Sequence, residues 1–223
     1  MSALLLGLVF AAALGDWVAV ARGWKRVERI LKPATLALLF AWLLVTTGLR
    51  GSLLWFGIGA LCSLAGDTFL LFSERWFVAG LAAFLLAHVA YIVGFNQPLP
   101  DVSLLWSLGL AIVLGLSAAR LLRRIVDGLV AKNQRQLVRP VVLYGTVLTL
   151  MLLSALLTSL RTDWQATPAL LVSAGAILFF GSDMLLAWDR FVTPVKNGRV
   201  LNMIAYHLGQ IALIAGAALQ FKK

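Results

Sequence analysis

The sequence predicts an all-α fold: a polytopic membrane protein with eight transmembrane helices in a single domain over residues 1–223. Of the 223 residues, 61% are hydrophobic and 13% are charged, and the mean hydropathy is +0.95. Soluble domains are about 45–50% apolar and roughly 25% charged. The chain also divides into apolar runs of about 20 residues, the length that a helix needs to cross a hydrocarbon core.

Eight apolar runs account for most of the chain and leave little material for a soluble domain. Three predicted spans begin near a proline, since Pro33, Pro140 and Pro168 fall where a first-turn proline costs no hydrogen bond. The first run has no basic residue before it and contains Asp16, so we interpret it as an uncleaved span rather than a secretory signal. The predicted spans cover residues 2–21, 33–49, 52–72, 76–95, 101–119, 140–160, 168–187 and 200–220.

The basic residues lie mainly on one side of these spans. The loops after spans 1, 3, 5 and 7 hold 15 of the 19 Lys and Arg residues, and the other loops and the chain ends hold 4. By the positive-inside rule both termini are expected on the non-cytoplasmic side, in a protein of a bacterial inner (plasma) membrane. The net charge of +10 therefore sets topology and suits anionic lipid headgroups in the bilayer, and it argues against a nucleic-acid partner.

The longest polar segment, residues 119–140, mixes apolar residues with basic ones that include Arg120, Arg123, Arg124, Lys132 and Arg135. This pattern is typical of an amphipathic helix or loop in the headgroup layer. A solvated connector is the alternative.

Two stretches of the chain resemble each other and predict a parallel 4+4 internal repeat. Spans three and four read GALCSLAGD and then FLLAHVAY, and spans seven and eight read GAILFFGSD and then MIAYHLGQ. Asp67 and Asp183 are 116 positions apart, and His88 and His207 are 119 apart. Chance similarity between helices rich in Leu and Ala is the alternative.

The two acids of this repeat are the first candidates for chemistry. An ionisable group inside a span costs about 2.5–3.5 kcal/mol, so it usually has a function. Asp67 and Asp183 lie five and four residues before the predicted ends of their spans, about 6–8 Å below one membrane surface. They are expected to meet in one cavity; the alternative is that each pairs with a basic loop residue such as Arg75 or Arg190.

Two helix faces add polar candidates. Phe84, His88, Tyr91 and Phe95 follow one face of span four, and Asn202, Tyr206 and Gln210 follow one face of span eight. Such residues either line a polar cavity or join helices by hydrogen bonds. The sequence has only two histidines and one cysteine, Cys62, which are few ligands for a transition metal. It also contains no nucleotide-binding or zinc motif, so we expect neither metal nor cofactor.

Six short motifs occur along the chain: K-P at 32–33, G-D-x-x-L-L at 66–71, G-L-x-x-F-L-L-A-H-x-x-Y at 80–91, P-V-x-x-Y at 140–144, S-D-x-L-L at 182–186 and Y-x-x-x-Q at 206–210. Taken together in their order and spacing, they resemble the YhhN-like lysoplasmalogenase family from about residue 30 to residue 215. Members of this family more usually have an aromatic or aliphatic residue at the position of His207.

The resemblance implies a membrane enzyme that hydrolyses the vinyl ether bond of a lysoplasmalogen, a lysophospholipid, to a fatty aldehyde and a glycerophospho-base. This reaction needs one acid that donates a proton and a second group that stabilises the resulting cation, as in glycoside hydrolysis. The expected catalytic residues are Asp67, Asp183 and His88, with the two acids in either order. The expected substrate-binding residues are Lys32, which would meet the phosphate, Tyr91, Tyr144, Ser182, Tyr206 and Gln210.

A small proton-coupled transporter or lipid-binding membrane protein is the alternative function, because carriers also place acids inside repeated spans. A one-sided site at a shared shallow depth favours the hydrolase. The sequence makes no prediction of oligomeric state.

Overall fold

A computed structural model describes residues 2–72 and 74–222. In this part of the chain the regular structure is entirely helical, and eight helices are long and apolar enough to cross a membrane. The predicted all-α fold with eight spans is therefore confirmed. The helices are α1 (Ser2–Arg22), α2 (Lys25–Thr47), α3 (Leu53–Leu71), α4 (Phe77–Phe95), α5 (Leu104–Ala131), α6 (Val138–Leu157), α7 (Ala166–Phe191) and α8 (Gly198–Phe221).

Helix α2 begins eight residues earlier than predicted. Gly23, at φ +68°, allows a tight turn after α1, and the new helix begins at Lys25. Pro33 consequently lies inside α2 and not in its first turn, so the predicted beginning of this span was wrong. A proline there removes one backbone hydrogen bond. Pro140 and Pro168 do lie in the first turns of α6 and α7.

Helix α5 continues through most of the polar segment predicted as an interfacial helix or loop. Ile125 and Leu129 are buried on its inner face, whereas Arg123 and Arg124 on the outer face are exposed. The segment is thus amphipathic, as its pattern indicates, but it forms one helix with the preceding span. At its end a Cβ on Gly128 would lie 2.2 Å from the Phe191 carbonyl oxygen, so α5 and α7 approach closely there.

Helices that are adjacent in sequence form the largest interfaces, α7 with α8, α3 with α4 and α1 with α2. Gly175 and Gly209 let the backbones of α7 and α8 touch, because a Cβ on Gly175 would lie 2.5 Å from the Leu213 nitrogen. Small residues at a helix crossing are the usual basis of close packing inside membranes. Helix α5 packs chiefly on α6 and α7 and leaves most of its surface exposed.

Two loops at the end of the molecule remote from the basic loops are joined by one arginine. Arg161 is buried and donates hydrogen bonds to the carbonyls of Phe95 (2.8 Å) and Pro98 (3.1 Å). It also forms two hydrogen bonds to the Asp163 carboxylate, which hold the pKa of Asp163 below its usual range. The connections α4–α5 and α6–α7 are therefore fixed to each other.

Candidate active site

Asp67 of α3 and Asp183 of α7 line the same internal cavity, as the sequence predicts. The cavity has an empty volume of about 730 Å³, including its opening, and seven helices, α2 to α8, contribute to its wall. Its apolar lining includes Phe84, Leu122 and Phe191. Its polar side chains are Lys32, Asp67, Tyr144, Asp183, Asn202 and Tyr206.

Asp67 has a cationic partner. Its carboxylate is fully buried, and Lys32 of α2 places its Nζ atom 3.1 Å from Oδ1. Tyr206 of α8 donates a hydrogen bond of 2.8 Å to Oδ2. An ammonium and a hydroxyl donor can both stabilise a negative charge on this carboxyl group, which burial by itself would disfavour.

Asp183 has a different set of partners. Tyr144 of α6 donates a short hydrogen bond to its Oδ2 atom. The Nε2 atom of His88 lies 3.0 Å from the Tyr144 oxygen and 3.6 Å from the same carboxylate oxygen. His88 therefore contacts Tyr144 from outside the cavity, and its ring does not line the cavity wall.

We assign His88 as neutral with its proton on Nε2. Its Nδ1 atom is buried and has no hydrogen-bond partner among the described residues. A charged imidazolium would place an N–H group there without an acceptor, which is costly in an apolar interior. His88 then donates to Tyr144, which donates to Asp183, so both partners of this acid are uncharged.

Three of the predicted substrate-binding residues do not line the cavity. Tyr91 donates to Gln210 at 2.8 Å, and Gln210 donates to Ser63 at 2.9 Å, forming a buried bridge between α4, α8 and α3. The Ser182 hydroxyl donates to the Phe179 carbonyl of its own helix. The Ser182 carbonyl accepts a hydrogen bond of 2.6 Å from Asn202. These groups join helices and support the cavity wall.

Three other predicted substrate-binding residues, Lys32, Tyr144 and Tyr206, do line the cavity. Lys32 was expected to meet the phosphate of the lipid, but its ammonium contacts Asp67. Whether the Lys32 ammonium meets a phosphate or Asp67 depends on the direction of its side chain. That direction is set by how α2 packs on α3.

Other buried polar residues were not predicted as site residues. Asn202 lines the cavity. Asp16 of α1 is fully buried, and neither of its oxygens has a hydrogen-bond partner among the described residues. His207 accepts a hydrogen bond of 3.1 Å from the Trp17 indole and does not line the cavity. In the described part of the chain, no group of three His, Cys, Asp or Glu residues could hold a metal ion.

The fold and the cavity define a class: a helical membrane protein in which two acids with unlike partners share an internal, largely apolar site. The model of the YhhN family matches residues 27–217. The chain belongs to the YhhN family, and the resemblance found in its motifs is confirmed. No solved structure matches this chain.

Named relatives cover most of the chain. Lysoplasmalogenase TMEM86B of Mus musculus is 32% identical over 203 residues, which are 90% of this chain and 79% of the relative. Lysoplasmalogenase TMEM86B of Homo sapiens is 31% identical over 80% of this chain and 69% of the relative. Lysoplasmalogenase TMEM86A of Homo sapiens is 31% identical over 74% of this chain and 65% of the relative.

Proposed function

We propose that this protein is a lysoplasmalogenase-like hydrolase that cleaves the vinyl ether bond of a lysoplasmalogen within the membrane. Membership of the YhhN family and the lysoplasmalogenases among its relatives support this function. The observation that carries it is the pair of acids with unlike partners in one cavity. The apolar wall suits the hydrocarbon chain of the lipid.

Asp183 is the proton donor in this proposal, and Asp67 is the ionised partner. Lys32 stabilises the charge on Asp67, whereas the Tyr144 and His88 groups beside Asp183 are neutral. An ammonium beside a carboxyl group stabilises its negative charge, whereas uncharged neighbours do not supply a compensating charge. The different neighbours therefore assign the two roles.

The reaction begins when Asp183 transfers its proton to the vinyl carbon that is not bonded to oxygen. The other vinyl carbon and the ether oxygen then share a positive charge, which the Asp67 carboxylate stabilises. Water adds to this carbon as Asp67 accepts a water proton, giving a hemiacetal. Asp67 then protonates the glycerol oxygen while Asp183 takes the hydroxyl proton, releasing the aldehyde and restoring both acids.

Tyr144 and Tyr206 orient the two carboxyl groups toward the substrate through their hydrogen bonds. His88 acts one contact further away, by fixing the hydroxyl of Tyr144. Tyr91, Gln210 and Ser182 hold the helices that carry these groups and do not touch the lipid. The buried, helix-bonded hydroxyl of Ser182 also argues against a serine esterase.

We also propose that residues 1–223 form one domain built as a parallel 4+4 repeat. Asp67 is contacted from α2 of its own half and from α8 of the other half, and Asp183 from α6 of its own half and α4 of the other. These pairs of helices are equivalent under the repeat. Tyr91 and Gln210, 119 positions apart like His88 and His207, contact each other as residues beside a pseudo-twofold axis would.

The proposed location is a bacterial inner membrane, with both ends of the chain on the non-cytoplasmic side. The distribution of 15 basic residues against 4 supports this orientation. The ends of α1, α3, α5 and α7 and the starts of the helices that follow them then face the cytoplasm.

The test is product release by purified protein in detergent from three lipids: a lysoplasmalogen, which would give an aldehyde, its saturated 1-alkyl ether, which would give an alcohol, and its 1-acyl ester, which would give a fatty acid. Only the lysoplasmalogen is expected to react. In heavy water the aldehyde should carry one deuterium on the carbon next to its carbonyl, because that carbon receives the proton of Asp183. Cleavage of the acyl lipid alone would identify an esterase, and a carrier would release no aldehyde.

A further inference from the structure

A second cavity adjoins the catalytic one at the basic end of the molecule. It has an empty volume of about 980 Å³, including its opening, and we call it the vestibule. Lys32, Asn202 and Met203 line both spaces, so the vestibule and the catalytic cavity are continuous. A ligand can therefore occupy both at once.

The vestibule differs from the catalytic cavity in its charge. Three basic residues, Lys32, Arg190 and Arg199, and two acidic residues, Glu28 and Asp189, line it. Lys32 is already paired with Asp67 at the floor. Arg190 lies with its guanidinium 4.1 Å from the centre of the Phe77 ring.

Arg199 is the cation that is best placed to receive an anion. Its Nη2 atom donates to both carboxylate oxygens of Glu28, at 2.7 and 3.0 Å. Glu28 is buried, whereas the Arg199 side chain is 58% exposed. In the described part of the chain, the Nη1 and Nε groups of Arg199 donate to no other side chain. The pair with Glu28 thus fixes the guanidinium of a residue that lines the vestibule, and it uses only one of the three nitrogen atoms.

We propose that the vestibule binds the phosphate-bearing headgroup of the lysophospholipid, with Arg199 as its phosphate ligand. A guanidinium presents several N–H donors in one plane, which matches the oxygens of a phosphate. The short glycerol backbone separates the ether from the phosphate, so the headgroup must lie close to the acids. The vestibule satisfies this requirement because it shares wall residues with the catalytic cavity.

This inference deepens the proposed function and rests on it for the identity of the lipid. It transfers the phosphate-binding role that the sequence suggested for Lys32 to Arg199 of α8. Lys32 stabilises the charge of Asp67 near the reacting bond, and Arg199 binds the headgroup.

The experiment compares a lysoplasmalogen with 1-alkenylglycerol, which has the vinyl ether but no phosphate. In Arg199→Gln, KM for the lysoplasmalogen should rise about tenfold, the loss expected for a charge-assisted hydrogen bond. KM for 1-alkenylglycerol should change less than twofold. The matched control is Lys196→Gln, which removes one charge from the exposed loop before α8 and lines neither cavity.

Glu28→Gln separates phosphate binding from a structural ion pair. This variant breaks the same pair but keeps the guanidinium, so it should retain the preference for the phosphate-bearing lipid. An equal loss in Glu28→Gln and Arg199→Gln, or an equal loss for both substrates in Arg199→Gln, would overturn the headgroup assignment.

A binding measurement keeps this inference separate from the proposed reaction. The probes are the saturated 1-alkyl glycerophosphocholine and 1-alkylglycerol, neither of which has a vinyl ether to cleave. Tighter binding of the phosphate-bearing probe that is lost in Arg199→Gln supports the vestibule even if no aldehyde is ever released. Equal binding of the two probes by the unmodified protein contradicts it, whatever the enzyme activity.

Discussion

At the scale of single residues, the two acids of the cavity differ in the charge of their neighbours. The Lys32 ammonium lies 3.1 Å from Asp67, whereas Asp183 accepts a hydrogen bond from the Tyr144 hydroxyl and lies near His88. Each acid also accepts a hydrogen bond from one tyrosine, Tyr206 for Asp67 and Tyr144 for Asp183. In the proposed mechanism, this difference in charge separates the proton donor from the cation stabiliser.

Replacing either acid by its amide should abolish the reaction without unfolding the protein. Asp183→Asn removes the donated proton, and Asp67→Asn removes the negative charge that stabilises the cation. A positioned acid or base contributes about 10²–10⁴-fold, so kcat for aldehyde release should fall by at least roughly 100-fold in each variant.

Asp127→Asn is the matched control, because Asp127 is exposed on α5 and does not line the cavity. Its kcat should stay within twofold of the unmodified protein. Size-exclusion chromatography in detergent should show the same profile for all three variants. Substantial aldehyde release by Asp67→Asn or Asp183→Asn would remove that residue from the mechanism.

At the scale of helices, the site depends on how closely α7 and α8 pack. Gly175 of α7 lies against the backbone of α8, and Tyr206 and Asn202 on α8 line the cavity. Asn202 also bonds the Ser182 carbonyl, which fixes α8 along the length of α7. Gly175 and Gly209 thus permit the close α7–α8 approach at which these hydrogen bonds form.

Gly175→Ala should therefore lower stability. The added Cβ would lie 2.5 Å from the Leu213 nitrogen and 2.7 Å from the Gly209 oxygen, and backbone atoms cannot move aside cheaply. Overpacking of this kind costs about 1–3 kcal/mol, which corresponds to a decrease in Tm of about 2–12 °C for a protein of this size. Thermal unfolding in detergent measures it.

Gly181→Ala provides the comparison on the same helix. No heavy atom outside its own turn lies within 4 Å of a Cβ at this position, and alanine favours a helix over glycine. Its Tm should equal or exceed that of the unmodified protein. Equal Tm values for Gly175→Ala and Gly181→Ala would show that the α7–α8 crossing is not as tight as the glycine contacts indicate.

At the scale of the whole molecule, the catalytic cavity and the vestibule lie toward the end that carries the basic loops. The vestibule is lined by the first part of α2 and α8 and by the last part of α3 and α7. The opposite end is joined by Arg161 and its partners on the α4–α5 and α6–α7 connections. The molecule is therefore polarised along the membrane normal, with its substrate site toward the proposed cytoplasmic face.

This polarity predicts the labelling pattern of single cysteines. In a Cys62→Ala background, Ser2→Cys and Lys222→Cys should react with a membrane-impermeant maleimide added to intact cells, since both chain ends are expected outside. Lys196→Cys, on the α7–α8 loop, should react only after the membrane is opened. All three positions are exposed. The reverse pattern would invert the topology and place the vestibule on the outer face.

The sequence predicted the eight-helix fold and the meeting of Asp67 and Asp183 in one cavity for a physical reason that individual helices illustrate. Phe84, His88, Tyr91 and Phe95 recur on one helical face, and all four are buried. Asp67 and Asp183 are costly inside a membrane, so their presence alone marked the cavity that both line. The beginning of α2 was missed because a proline was taken as a helix start, although a preceding glycine turn had already begun the helix.

What the sequence determined by itself was an eight-helix membrane protein with two acids and their polar faces directed inward, because burial and helical period are local properties of the chain. Only the tertiary structure decided which groups meet. Tyr206 bonds Asp67 across 139 positions, Lys32 turns to that same acid, and Tyr144 reaches Asp183 with His88 behind it. These contacts depend on the rotation and spacing of neighbouring helices, which are set by packing between distant parts of the chain.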